Sequence, residues 1–415
     1  MKYKVFWCKV NKYYTDAWLS SEYLENKSGI FIASCVVTDN AKKKWIKFVK
    51  QEIPSLQEND KIYISGCWAF EEWKENKDFF NIYWDLEIYK DKIEILPEKP
   101  KEDKKISTLD TKKLSSIKTK LNLTTKKFLL IQWWCDSFCT FCLTVIKRWR
   151  HFYRSQEDIV DEIIEFEMQW GKEVVLTWVN LGAWGQENTN QYSHSKLGDL
   201  LEYILEKTEI PRIRISSLGP EFVDEKVLKI FENKRIYPHF HYSIQSGSSS
   251  ILKAMKRHYD GNYMRDLLQK TLNIKREDWI QVSIWADLIV WFPGESEENF
   301  LDTLELVKNY NITKVHAFPF SNHTLGEHVP ASFFPNQIDE KIKKQRLDIL
   351  IQAGEDVRNS FIHSQKWQLF DVLIENIKDG TFKWWTQNYI ECTNENFEVI
   401  SWEMKKNEII RWKLK

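Results

Sequence analysis

The stretch Phe128-Leu-Leu-Ile-Gln-Trp-Trp-Cys135-Asp-Ser-Phe-Cys139-Thr-Phe-Cys142 sets a short apolar run directly ahead of three cysteines spaced CxxxCxxC. Three thiolates this close together can wrap one side of a cubane cluster, each binding a different iron. A four-iron cluster ordinarily takes four cysteines, so this loop leaves one iron open to a ligand from outside the chain. Two other readings compete. Zinc sites pair a CxxC unit with a second pair or with histidines, and no second pair lies nearby. A disulfide needs an oxidising compartment, which nothing in the chain signals. The spacing and the strand before it favour the cluster.

Working outward, residues 128–355 repeat strand then helix six times. Strands are expected near Phe128–Gln132, Glu173–Asn180, Arg212–Leu218, His239–Gln245, Gln281–Phe292 and Lys314–Phe320. Amphipathic helical spacing follows each, at 155–169, 194–207, 221–234, 262–275, 297–310 and 339–360. The first of these helices opens with Ser155 and Asp158, a variant of the capping box. Six βα units make a partial (β/α)6 barrel, with its chemistry at the carboxyl ends of the strands, as in complete barrels. The three-cysteine loop follows the first strand and so belongs to that face.

The flanks read differently. Residues 1–97 alternate apolar strands (Lys2–Cys8, Ile30–Val37, Lys61–Cys67) with helical stretches at 17–26 and 40–53, a small α/β domain with a parallel sheet. Each strand ends at or near a cysteine: Cys8, Cys35 and Cys67. Ligands gather at the carboxyl ends of parallel strands, so the three thiols can converge. Ordinary buried cysteines are the simpler reading of these residues by themselves. Residues 98–127 are rich in Lys, Ser and Thr and form a linker. Residues 361–415 break into short strand-like runs (Gln368–Ile374, Thr381–Trp385, Tyr389–Cys392, Glu398–Ile400, Glu408–Trp412), the pattern of a small β-barrel of the oligonucleotide-binding kind, with Cys392 in its core.

Composition excludes several classes. Lys+Arg 60 balances Asp+Glu 60, so any nucleic-acid binding must come from local patches. The charged start Met1-Lys-Tyr-Lys is no signal peptide. No apolar run approaches the roughly 18 residues of a membrane span. The expected setting is cytoplasmic, with no membrane partner. One oddity stands out: Trp 20 exceeds Gly 13, although glycine is usually among the commonest residues.

These motifs together resemble the radical S-adenosylmethionine (SAM) methylthiotransferases across nearly the whole chain. The resemblance is carried by Cys8-Lys9-Val10-Asn11, the S-C-V-V-T-D stretch around Cys35, S-G-C at Cys67 and C-D-S-F-C-T-F-C at 135–142. It continues in N-L-G-A-W-G at 180–185, S-I-Q-S-G-S at 243–248 and D-L-I-V-W-F-P-G-E at 287–295. It implies two [4Fe-4S] clusters, one on Cys135, Cys139 and Cys142 and one on Cys8, Cys35 and Cys67. SAM would fill the open iron of the first. Phe141 occupies the place of an aromatic residue facing the nucleotide, and Asn180, Gln245 and Glu295, at strand ends, are candidate SAM contacts; each is equally a structural strand-end residue. Arg214 lies on a strand, where pairing with a core carboxylate is the alternative to a ligand role.

The implied reaction is reductive cleavage of SAM, fed by an electron donor such as flavodoxin or ferredoxin. Hydrogen is then taken from C2 of adenine and a methylthio group installed. The implied partner is the anticodon loop of tRNA, gripped by a TRAM-like barrel at 361–415. The C-K-V-N form resembles the subfamily acting on N6-threonylcarbamoyladenosine at position 37; isopentenyladenosine and ribosomal protein S12 subfamilies, or a non-catalytic iron–sulfur RNA-binding protein, are the alternatives.

The chain departs from the family in one systematic way. Trp7, Trp134, Trp149, Trp178, Trp291, Trp384, Trp402 and Trp412 stand where the family has glycine. Glycine at turns supplies positive φ or close backbone approach, and tryptophan supplies neither without strain. The pattern predicts a gene in which UGA is read as glycine.

Overall fold

The computed structural model describes residues 1–6, 9–67, 77–97, 125–133, 135, 137–144, 152–185, 196–324, 328–338, 340–375, 384–400 and 405–415. Cys8, most of the expected linker, and Trp7, Trp134, Trp149 and Trp402 lie outside these residues. Two compact units result. One comprises Met1–Thr124, Phe141–His151 and Ser321–Ser332; the other comprises Thr125–Thr140, Phe152–Phe320 and Phe333–Lys415.

The first unit is a four-stranded parallel sheet in the order β1 (Lys2–Val5), β2 (Gly29–Ser34), β3 (Lys61–Gly66), β4 (Ile93–Ile95). Alternating apolar residues drive it. Ile30, Ile32, Ile62 and Ile64 point to one face and pack with Trp45 and Val49 of α3 (Asp39–Glu52) and with Phe79 of α4 (Lys77–Ile82). Thr38 caps α3 by accepting from the Ala41 amide. The helix expected at 17–26 is instead α1 (Lys9–Leu19) and α2 (Glu22–Glu25), because Ser21 turns its hydroxyl back onto the Trp18 carbonyl and breaks the run. Strands β2 and β3 stop one residue before Cys35 and Cys67. Gly66 makes the second stop possible: its φ is +93° and a Cβ there would lie 2.6 Å from the Ser34 carbonyl oxygen.

The second unit holds the six βα repeats. One four-stranded sheet runs β6 (Phe152–Tyr153), β5 (Lys126–Trp133), β7 (Glu173–Trp178), β8 (Arg212–Ile215). The other runs β12 (Ile312–Pro319), β11 (Ser283–Val290), β10 (His239–Gln245), β9 (Ser217–Leu218). Strands β8 and β9 are one strand interrupted at Ser216, so the six expected strands form a continuous parallel succession from β5 to β12. The two-residue β6 pairs antiparallel on the edge of β5 and has no sequence signal at that length. Helices α5 (Gln156–Met168), α6 (Leu197–Lys207), α7 (Glu225–Ile230), α8 (Ser249–Ala254), α9 (Gly261–Leu272), α10 (Glu297–Asn309) and α11 (Glu340–Ser364) complete the repeats. Ser155 accepts from the Asp158 amide at the start of α5, as its sequence predicts.

Strand alternation divides the side chains. Phe240, Tyr242 and Ile244 of β10, with Ile284, Ala286 and Leu288 of β11, join helix residues such as Ile159, Leu200 and Leu267 in one large core. Their alternates, His239, His241, Trp285 and Asp287, face the other side of the sheet. That inner face is polar and aromatic.

The C-terminal segment belongs to this same unit. Strands β13 (Leu369–Leu373), β17 (Ile409–Leu414) and β16 (Phe397–Val399) form an antiparallel sheet, and β14 (Trp384–Trp385) pairs with β15 (Glu391–Cys392). Among the described residues these are a three-stranded sheet and a separate pair. Cys392 is buried in their core with Trp384 and Trp412, as expected. Tyr389 packs with its ring tilted at 4.1 Å from His239 and 4.5 Å from Trp285, and lies 4.0 Å from the Arg214 guanidinium. The segment therefore covers part of the inner face of the barrel, at His239, Trp285 and Arg214.

Candidate active site

Strand β5 delivers the chain to Cys135, and the loop beyond it is fixed by hydrogen bonds that the sequence does not announce. Gln132, the buried polar residue near the end of β5, accepts from the Asn180 amide at 2.8 Å. Asn180 sends its Nδ2 to the Ser137 hydroxyl at 3.4 Å, and Ser137 lies 3.4 Å from Cys135 Sγ. Asn180 thus fastens the cysteine loop to the end of β7. Further on, the Thr140 amide donates to the Met255 carbonyl at 3.2 Å and its hydroxyl to the Ala254 carbonyl at 3.0 Å, at the end of α8.

Arg257 completes this setting. Its Nη1 donates to Cys139 Sγ at 3.3 Å, while Nη2 reaches Glu221 and the Ser243 carbonyl, and Nε reaches Tyr259. The guanidinium is desolvated, yet Glu221, Tyr259 and Cys139 beside it hold it firmly charged. A permanent cation next to Cys139 favours the thiolate, the form that ligates metal. Cys139 is buried and Cys135 half-buried. Cys142 and Phe141 belong to the other unit; both are half-buried, and Cys142 Sγ accepts from the Thr144 amide at 3.3 Å. Within the barrel unit, the buried Cys139 beside Arg257 and the half-buried Cys135 suit thiolate ligation of a cluster.

The other candidates differ in kind. Gln245 ends β10 with φ +70°, beside a register shift in the pairing with β11. A non-glycine residue in that region marks strain that surrounding structure maintains, a common property of ligand-holding turns. Glu295 is tied into the structure by one oxygen, Oε2, which accepts from the Trp291 amide at 2.8 Å and from Arg346 Nη1 at 3.2 Å. Burial pushes its carboxyl up to about 7, against the pull of the Trp291 amide and Arg346. Its Oε1 is buried and has no hydrogen-bond partner among the described residues. Arg214 takes the alternative role, donating from Nε to Glu173 at 2.9 Å.

In the first unit, Cys35 and Cys67 are both buried at the ends of neighbouring strands. Asn11, wholly buried on α1, ties their strands together. Its Nδ2 donates to the Ser34 carbonyl at 2.7 Å and its Oδ1 lies 3.8 Å from Cys67 Sγ. Ser34 in turn donates to the Ser65 carbonyl. The convergence expected of Cys35 and Cys67 has a physical basis here in the parallel register Ser34–Gly66; Cys8 lies outside the described residues. Asn11 and Arg257 are the residues that sequence reasoning passed over as contacts of the cysteines. Arg257 lies 118 residues from Cys139, so no local spacing could report it.

Residues 129–307 match the radical SAM superfamily. The chain is 30% identical to threonylcarbamoyladenosine tRNA methylthiotransferase MtaB of Thermotoga maritima, over 86% of this chain and 82% of that protein. It is 28% identical to the protein of the same description from Bacillus subtilis, over 69% and 63%. It is also 28% identical to tRNA-2-methylthio-N(6)-dimethylallyladenosine synthase of Clostridioides difficile, over 90% and 80%. With its three-cysteine loop at the end of the first barrel strand and its thiols at the ends of the N-terminal strands, the chain belongs to the radical SAM methylthiotransferase family.

Proposed function

We propose that this protein adds a methylthio group to C2 of N6-threonylcarbamoyladenosine at position 37 in the anticodon loop of tRNA. The observation that carries the reading is the occurrence of two separate thiol sets, each in a hydrogen-bonded setting of its own. One is Cys135, Cys139 and Cys142, supported by Asn180, Ser137 and Arg257. The other is Cys8, Cys35 and Cys67, of which Cys35 and Cys67 flank the Asn11 bridge. When bound, the first cluster and SAM supply the one-electron chemistry that takes hydrogen from an unactivated carbon, and the second cluster supplies sulfur.

The chain's own residues position and exclude. Asn180 and Thr140 hold the cysteine loop between β7 and α8, so Cys135 and Cys139 stay fixed relative to the barrel. Arg257 stabilises thiolate charge at Cys139. The strained Gln245 and the buried Oε1 of Glu295, which has no hydrogen-bond partner among the described residues, are the contacts we assign to SAM, and Phe141 is the aromatic residue we assign to its nucleotide. Flavodoxin or ferredoxin supplies the electron. A base in the anticodon loop is unpaired and can be splayed out for attack. Exposed cations of the C-terminal segment, among them Lys405, Lys406 and Arg411, take the phosphates.

The choice of threonylcarbamoyladenosine rests on the Cys8-Lys9-Val10-Asn11 motif and on the MtaB proteins among the relatives. The isopentenyl-type substrate is the competing reading, because the Clostridioides difficile relative aligns over 90% of this chain. The test is anaerobic reconstitution with iron, sulfide, SAM and dithionite. tRNA carrying either threonylcarbamoyladenosine or isopentenyladenosine is then supplied, followed by nucleoside mass spectrometry. Methylthiolation of the first alone supports the proposal. Methylthiolation of the second alone overturns the substrate assignment. SAM cleavage with neither tRNA modified points to a protein substrate.

A further inference from the structure

The inner face of the barrel carries a cluster that the proposed chemistry does not use. His241 on β10, Asp287 on β11 and His316 on β12 occupy three adjacent parallel strands. Asp287 is directly paired in register with His316, and His241 pairs with Trp285, two residues before Asp287 on the same face. His241 Nε2 lies 2.8 Å from Asp287 Oδ1, and His316 Nδ1 lies 3.5 Å from the same oxygen. The three ligand atoms all fall within 4.8 Å of one another.

These separations suit a metal. With metal–ligand bonds of about 2.1 Å, two ligands at right angles lie about 3 Å apart. Both measured edges bracket that value. Two imidazoles and one carboxylate around one cation leave further coordination positions open, a pattern used by first-row divalent ions. The Asp287 and His316 side chains keep 22% and 32% of their exposure, so water or a substrate oxygen can reach those positions. An outer contact is present too. His241 Nδ1 lies 3.3 Å from the Ser217 hydroxyl on β9. If Nδ1 carries the proton and donates to Ser217, Nε2 and Oδ1 are two acceptors facing each other at 2.8 Å, an arrangement that a cation between them relieves. Carboxylates, carbonyls and hydroxyls commonly orient metal-binding histidines in this way.

We propose that His241, Asp287 and His316 bind a first-row divalent cation inside the barrel, at a site separate from both thiol sets. The competing description is a proton-linked hydrogen-bonded triad. The probe is Mn(II), titrated into the full-length, cluster-loaded protein with both clusters in their oxidised, diamagnetic state, and followed by the loss of the free-ion electron paramagnetic resonance signal. Saturable binding of one ion is expected, weakened about tenfold or more in Asp287→Asn and in His316→Gln and about tenfold in Ser217→Ala. Iron content and circular dichroism confirm that each variant is folded and loaded. Equal binding by the wild type and Asp287→Asn, or no saturable binding by the wild type, overturns the proposal in favour of the proton-linked triad.

A separate observation concerns the tryptophans. Trp170, Trp279, Trp291 and Trp367 have φ of +63°, +58°, +65° and +71°, the left-handed region that bulky side chains avoid. Trp170 is the clearest. After α5 ends, its amide donates to the Glu167 carbonyl at 2.8 Å and the Gly171 amide to the Phe166 carbonyl at 2.9 Å, the paired bonds of a Schellman terminus whose left-handed position is usually glycine. Trp170, Trp279 and Trp367 are 77%, 87% and 64% exposed, so little burial compensates for the backbone strain. Trp291 is buried instead, and its indole N–H has no partner among the described residues. Trp384 and Trp412 behave differently: neither has positive φ, and they pack edge to face at 5.7 Å in the C-terminal core.

We infer that the functional polypeptide carries glycine at 170, 279, 291 and 367, encoded by UGA. Peptide mass spectrometry of the protein from its source cells, with the gene sequenced, is the test. Glycine at these positions over UGA codons is expected; UGG codons or tryptophan-containing peptides overturn the inference. In recombinant protein made with tryptophan, Trp170→Gly and Trp367→Gly should raise Tm, and a fall in Tm for both counts against it.

Discussion

Arg257 Nη1 donates to Cys139 Sγ at 3.3 Å, from a guanidinium locked in place by Glu221, Tyr259 and the Ser243 carbonyl. Hydrogen bonds and positive charge at ligand sulfur raise the reduction potential of an iron–sulfur cluster. Arg257→Gln should therefore lower the potential of the cluster on this loop, and Arg257→Lys should lower it less. The check is a spectroscopic redox titration of the reconstituted protein. An unchanged potential in Arg257→Gln would assign the arginine a packing role only.

Glu173 neutralises a buried cationic group. It lies 2.9 Å from Arg214 Nε, 3.4 Å from Arg212 Nε and 3.7 Å from Lys126, and Tyr237 donates to it at 2.7 Å. Burial raises its carboxyl, but Arg214, Lys126 and Arg212 outweigh this and hold it well below the usual range. Removing one partner of a buried charge network costs about 3–5 kcal/mol. Glu173→Gln should lower stability by that order in urea denaturation. The carboxylate's contribution is present at neutral pH and lost as pH falls, so the wild type's acid sensitivity should shrink in the variant.

Glu295 acts in the opposite sense on pH. Its folded-state carboxyl sits at about 7, raised chiefly by burial from an ordinary 4.5. The folded protein then binds a proton that the unfolded chain releases, so this contribution is full below the ordinary value and lost as pH rises toward 7. Glu295→Gln should flatten the decline in stability across that window, by about 3 kcal/mol. Thermal melts between pH 5 and 8 read the difference.

The C-terminal segment should not be removable without harm to the barrel. Arg212 Nη1 donates to the Asp371 carbonyl at 2.9 Å, Asn388 to the Gln281 carbonyl at 3.2 Å, and Lys126 pairs with Glu375. Tyr389 covers His239, Trp285 and Arg214. Deleting 361–415 strips these partners and should lower the Tm of the remaining protein by several degrees, read by calorimetry. Lys405→Glu with Lys406→Glu, both exposed, should weaken tRNA binding without moving Tm, and the loss should shrink at higher salt.

The sequence by itself determined the βα order of the barrel, the parallel N-terminal sheet and the placing of three cysteines after β5. Those features are written locally. Strand alternation, helical spacing and the CxxxCxxC run each need only neighbours in the chain, and His239–Gln245 falls on β10 residue for residue. Short elements escaped because β6 and β4 are too brief to show a period.

Only the tertiary structure decided which distant side chains meet. Arg257 reaches Cys139 because α8 and the turn after it lie against the cysteine loop, and Asn11 reaches Ser34 and Cys67 because α1 packs across two strand ends. His241, Asp287 and His316 come together only through strand register, which no single segment encodes. The docking of Tyr389 into the barrel joins two segments that the sequence presents as separate domains. Hydrogen-bond and packing partners far apart in the chain leave no periodic trace, because their spacing is set by how whole elements stack and pair rather than by the residues between them.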